Sequence, residues 1–175
     1  MKDVENLCAQ PIASLGGTPD WIILDTPPAL SLFTRAGLAA ADYVVAPVRP
    51  RLASLAGTAN MLRMLRTMNA IVGDRIDFLG AAITHWDGLV LSKNFAEVRL
   101  PRALRTVNGT AFETMIPVDS QLDTLEPGAN TNGARAYATL AREVVSRVNQ
   151  RRQHGGNSDR AREGEPAGVQ ASAQA

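Results

Sequence analysis

The chain has 175 residues, 45% of them hydrophobic and 20% charged, with a formal net charge of +1. That length suits one domain with a sizeable core, and the near-neutral balance points to no particular class of partner. A single cysteine, Cys8, excludes an internal disulfide and a cysteine zinc cluster; no apolar run reaches the roughly 20 residues that cross a bilayer, and the N-terminus has no long apolar leader, so a soluble cytoplasmic protein is the expectation.

In chain order, residues 1–20 are a lead-in with room for one short helix. Residues 21–24, "WIIL", form the first short apolar run, which predicts a strand. The alanine-rich stretch 31–41 predicts a helix. A second apolar run, "YVVAPV" at 43–48, predicts a strand. Between 52 and 69 apolar residues recur at Leu52, Leu55, Ala59, Leu62 and Leu65, with Arg63 and Arg66 opposite, which is one face of a helix. "FLGAAIT" at 78–84 is the third run. Near-continuous apolar runs suit strands covered on both faces, as in a parallel sheet. Ser92 is placed to cap a helix through Arg99, and Pro101 to kink it or start another. "AFETMIP" at 111–117 has Glu113 and Thr114 inside it and reads as an edge strand. The last helix, 133–150, should bury Tyr137, Leu140, Ala141, Val144 and Val148, with Glu143 and Arg147 paired on its outer face. From 152 to 175 the chain is polar and small and predicts a disordered tail. Alternating strands and helices make residues 21–151 one α/β domain with a doubly wound, mostly parallel sheet.

Ligands of open α/β sheets sit at the carboxyl ends of the strands, and Asp25 is placed there. An aspartate in that position can accept from magnesium-bound water while Mg²⁺ bridges nucleotide phosphates; it can equally begin a turn that Thr26, Pro27 and Pro28 complete. The wider stretch "DWIILDTPPALSLFTRAGLAAADYVVAPV" resembles the Walker-B region of the ParA/MinD family of partition and positioning ATPases. "FLGAAITHWD", "FETMIP" and "GARAYATLAREV" resemble that family's next strand, its adenine-pocket strand and its C-terminal helix. The resemblance runs from about Trp21 to Val148 and implies a P-loop NTPase-like fold.

Carried over by position, the resemblance makes Asp25 the ligand of a magnesium-bound water. Pro28 would shape the nucleotide-facing loop, Thr84 would lie near the base, and Ile116 and Pro117 near the adenine ring. Each also has a purely structural reading: the prolines as strand stops, Thr84 as a loop cap, Ile116 as core and Pro117 as a strand terminator. The family binds DNA without sequence preference through basic residues. Arg99, Arg102 and Arg105, with Arg142, Arg147, Arg151 and Arg152, are the candidates here; a solvated face interleaved with acids is the alternative.

The family's phosphate loop is glycine-rich and carries two lysines. The only lysines here are Lys2 and Lys93, and "LGGTPD" has no Gly-Lys-Thr/Ser. The sequence therefore reads as the later part of such an ATPase, N-terminally truncated, with ATP and Mg²⁺ the cofactors of intact members and neither bound well by this chain alone. An exposed sheet edge is expected in consequence. The implied partners are a second copy, duplex DNA and a centromere-binding protein, which would place the chain at the nucleoid. No membrane partner is implied, since the tail has only Val169 as a bulky apolar anchor. A non-catalytic DNA-binding or interaction module, and a cobyrinate-synthase-like or reductase-like ATPase, are the rival readings. Loss of cluster cysteines weighs against the reductase. No nucleophile-elbow pattern supports a hydrolase.

Overall fold

The computed structural model describes residues 7–8, 11–14, 16–17, 19–27, 31–73, 75–122 and 130–163. Its centre is a parallel pair, β1 (Tyr43–Val48) and β2 (Asp77–Ile83). The helix α2 (Leu52–Val72) connects them, and α1 (Leu32–Ala40) precedes β1, its first turn capped by the Ser31 hydroxyl. Gly73 ends α2 in the left-handed conformation, φ 79°, which a glycine adopts without Cβ strain. The Asn69 side chain fixes the return to the sheet, donating to Ile76 O at 2.7 Å and accepting from Ile76 N at 2.9 Å.

After β2 the chain forms α3 (Val90–Asn94), a π-helical turn (Phe95–Arg99), α4 (Leu100–Leu104) and a 3₁₀ turn (Arg105–Val107). The wide turn lies directly before Pro101, with Leu100 N bonded to Phe95 O. Proline has no N–H for the carbonyl four residues back and its ring crowds that carbonyl; a π turn accommodates both without ending the helix. Ser92 is not the cap. It is buried inside α3, and the Asp87 carboxylate accepts from Leu89 N at 3.0 Å at the start of that helix.

The long helix α5 runs Asn132–Glu163, beyond the residue at which a polar tail was expected to begin; residues 164–175 lie outside the described residues. Residues 110–118 run along the outer side of β2. Phe112 N bonds Ala81 O at 2.8 Å and Ile116 N bonds Ile83 O at 2.9 Å, but only two isolated parallel bridges form, at Ala111 and Pro117. The edge position is as expected, the regularity less than a full strand.

Two apolar clusters cover the two faces of the sheet. Ala46, Val48, Phe78, Ala81 and Ile83 pack with Leu62, Leu65, Phe95, Leu100 and Leu104. Leu79 and Ala82 pack with Phe112 and Val148, with Tyr43 and Val45 against them. A bulge in β2 reconciles these sets with simple alternation: Val44 pairs Phe78 while Val45 pairs Gly80, so β2 has one extra residue and later side chains keep the faces that β1 dictates.

Three expectations are corrected. Residues 21–24 are extended but belong to no strand, and Ile23 is 90% exposed. An apolar run becomes a buried strand only when a neighbour pairs with it, and none of the described residues does. On α5, Tyr137 and Ala141 are exposed, while Leu140, Val144 and Val148 face the sheet. The Glu143–Arg147 pair, 2.9 Å apart, is on the inner side of α5 rather than the outer, with each side chain 19% exposed.

Candidate functional site

The carboxyl end of the sheet brings Thr84, Ile116 and Pro117 together. Thr84 N bonds Val48 O at 2.9 Å, Trp86 N bonds Ile116 O at 2.9 Å, and Trp86 bridges Pro117. The Ile116 side chain is 2% exposed, and both its backbone groups are used inside the sheet. Its contribution to a ligand surface is therefore to position Pro117 and the exposed Val118. The Thr84 hydroxyl lies 3.4 Å from His85 Nδ1, and His85 has φ 55°, a left-handed backbone that turns the chain sharply at the strand end.

Two carboxylates organise this end, and the sequence reading singled out neither for a site. Asp119 accepts from Gln121 N at 3.0 Å and from Gly133 N, in the first turn of α5, at 2.8 Å. These bonds, the Gly133 one foremost, hold its carboxyl below the usual range. Asp87 is likewise held low, first by the Ser92 hydroxyl and then by Leu89 N. The signal available for both was an aspartate two residues before a free N–H at a turn.

Asp25 is not drawn into that cluster. It is exposed, and among the described residues no hydrogen bond reaches it. The next two residues are tied to α1: the Thr34 hydroxyl donates to Pro27 O at 3.2 Å, and Gly37 leaves room for the Thr26 methyl group. Pro28 and Lys2 lie outside the described residues. Lys93 is exposed on α3, away from any glycine-rich turn. Among the described residues no three His, Cys, Asp or Glu side chains gather into a metal cluster. A triphosphate with Mg²⁺ needs several converging N–H donors and cationic groups; one exposed carboxylate with no such donors around it does not fit that ligand.

The basic candidates divide between the two faces. Arg99, Arg102 and Arg105 are exposed along the helical run whose Phe95, Leu100 and Leu104 pack on one face of the sheet. Arg142 is exposed on α5, which packs on the other face through Val148; Arg151 lies 3.5 Å from Asp77, and Arg152 is exposed. Arg147 points inward. It donates to Leu79 O at 2.8 Å, Thr110 Oγ1 at 3.0 Å, Ala111 O at 2.7 Å and Glu143 Oε1 at 2.9 Å, and it lies 4.1 Å above the Phe112 ring. A guanidinium so committed is not free for a nucleic-acid phosphate.

The AAA_31 family model, an AAA domain, matches residues 1–78, the part that contains Asp25. The chain is 36% identical over 137 residues to the chromosome-partitioning ATPase Soj of Thermus thermophilus, an alignment covering 74% of this chain and 54% of that protein. The chain belongs to the ParA/MinD type of P-loop ATPase. A second Soj, from Treponema pallidum, is 27% identical over 158 residues, 86% of this chain and 61% of its own length. The chromosome partitioning protein ParA of Caulobacter vibrioides is 24% identical over 144 residues, 77% and 52%. This ParA/MinD-type chain thus spans about half the length of the curated relatives it matches, and its parallel α/β core agrees with the fold that the sequence predicts.

Proposed function

We propose that the chain carries the base-side part of a partition ATPase, with a DNA-facing basic helix, and that by itself it does not bind or hydrolyse ATP with useful strength. In intact relatives of this kind, ATP would drive dimerisation onto DNA during chromosome or plasmid segregation, and a centromere-binding protein would trigger release. This chain would act beside the nucleoid in the cytoplasm. The observation that carries the reading is the separation described above: Thr84 and Pro117 meet at the sheet's carboxyl end, while Asp25 stands exposed without a phosphate cradle.

Calorimetric titration with Mg·ATP tests it. No heat of binding is expected at micromolar nucleotide, and Asp25→Ala should leave the titration unchanged. Micromolar binding that Asp25→Ala abolishes would show that the chain assembles a complete site, and would overturn the proposal.

A further inference from the structure

β1 is paired on one side only. The carbonyls of Asp42 and Val48 accept from Asp77 N and Thr84 N, on the β2 side. Backbone polar groups alternate along a strand, so those of Tyr43, Val45 and Pro47 point the other way. Tyr43 and Val45 each offer a donor and an acceptor on that side; Pro47 offers an acceptor alone. The same chain carries an extended segment with the opposite need. Trp21, Ile22 and Ile23 are 47%, 42% and 90% exposed, they favour strands, and among the described residues no hydrogen bond reaches their backbone. Leu32 and Phe33, at the start of α1, are 50% and 65% exposed.

We propose that a second copy of this chain covers this edge. Residues 21–24 of each copy add as a strand to the Tyr43–Val45 edge of the other, giving a reciprocal dimer that needs no nucleotide. A chain's own segment is held off its own edge by the Thr34–Pro27 bond and the Thr26–Gly37 contact, whereas a partner's segment meets no such tie. The charges agree. Arg49 and Arg51, both exposed, follow β1, and Asp20 and Asp25 flank the segment, so one aspartate reaches the arginines whichever way the added strand runs. The other aspartate meets Asp42 in water, where salt screens the repulsion. Five large apolar side chains from each copy supply burial of roughly 1,000 Å² in total, the lower bound for a specific interface. Pro47 confines the ladder to the first half of β1, so the association is modest and reversible.

Sedimentation of the full chain over a range of concentrations, without nucleotide, tests the proposal. A concentration-dependent dimer is expected. Ile23→Lys alters a side chain with no partner in the fold, so it should keep the melting midpoint and weaken dimerisation by at least about tenfold. Hydrogen exchange gives a second reading: the Tyr43 and Val45 amides should slow with rising concentration in the natural chain and not in Ile23→Lys. A monomer at all concentrations overturns the proposal. So does a dimer unchanged by Ile23→Lys, or protection of those two amides only when a different polypeptide is added.

Discussion

At the scale of single residues, Arg147 shows how a charged side chain becomes part of a core. Its guanidinium takes two backbone carbonyls, a hydroxyl and a carboxylate. No smaller side chain reaches all four. Arg147→Ala leaves two inward carbonyls and the Glu143 carboxylate without their donor, and should cost about 2–4 kcal/mol. Arg147→Lys should recover less than half of that, since an ammonium at the end of a flexible stem cannot span the acceptors as a planar fork does. Urea unfolding checks both: the midpoint should fall while the slope holds. A loss within experimental error for Arg147→Ala would mean that water replaces the guanidinium freely and that the bonds are incidental. The sequence did not reveal this role, because the spacing of Glu143 and Arg147 is that of a solvent-facing helix pair. What turns the pair inward is the unpaired backbone of residues 110–114, which no local pattern announces: Glu143 accepts from Glu113 N and Thr114 N at 2.9 and 3.0 Å.

At the scale of elements, α3, the π turn and α4 form one nearly continuous helical run with a buried side and a basic side. Phe95, Leu100 and Leu104 are within 1% of full burial, and Arg99, Arg102 and Arg105 are exposed. The π turn before Pro101 keeps the arginines at regular spacing, so a single run presents them. If this run meets DNA, binding should be independent of sequence and should weaken steeply with salt. Replacing all three arginines by glutamine should lower the slope of log K against log salt by about three, whereas Arg142→Gln, on the other face, should leave it unchanged. Filter binding to duplex DNA across a salt series measures this. Absence of any salt-sensitive binding in the natural chain would remove the nucleic-acid role.

At the scale of the whole molecule, acid is the expected weak point. Burial pushes Glu143 up, but the N–H groups of Glu113 and Thr114, the Thr114 hydroxyl and Arg147 outweigh it and hold the carboxyl below its ordinary value. Asp87 and Asp119 are held low as well. A depressed folded pKa means that stabilisation is complete above the unfolded carboxylate range and is lost as pH falls through the folded value. Unfolding free energy should therefore drop between neutral pH and about pH 3, and Glu143→Gln should flatten part of that drop while costing about 1–2 kcal/mol at neutral pH. An acid profile identical to that of the natural chain would show that Glu143 does not govern it. Much of the architecture was readable in advance. The runs at 43–48 and 78–84 became β1 and β2, and the stripe from Leu52 to Leu65 became the buried side of α2, because each has its neighbours within the chain. Residues 21–24 have the same composition and did not form a strand: an apolar run states what a segment can bury and is silent on whether a surface is there to receive it. The same gap divides the candidate site, whose base-side residues are joined by strand pairing while Asp25 has nothing to join it.

Gly80 lies in the β2 bulge at φ 149°, and a Cβ there would sit 2.6 Å from Arg147 Nη1 and 2.8 Å from Thr110 O. The missing side chain is a keyhole in the sheet, and the guanidinium is the key that α5 carries. Few apolar side chains hold α5 in place, and they alone would let a long helix slip by a turn along the sheet at small cost. With the key seated, slipping means withdrawing a cation from four acceptors at once, so the helix has one seat and the position of everything it carries is set by a hole one methyl group wide.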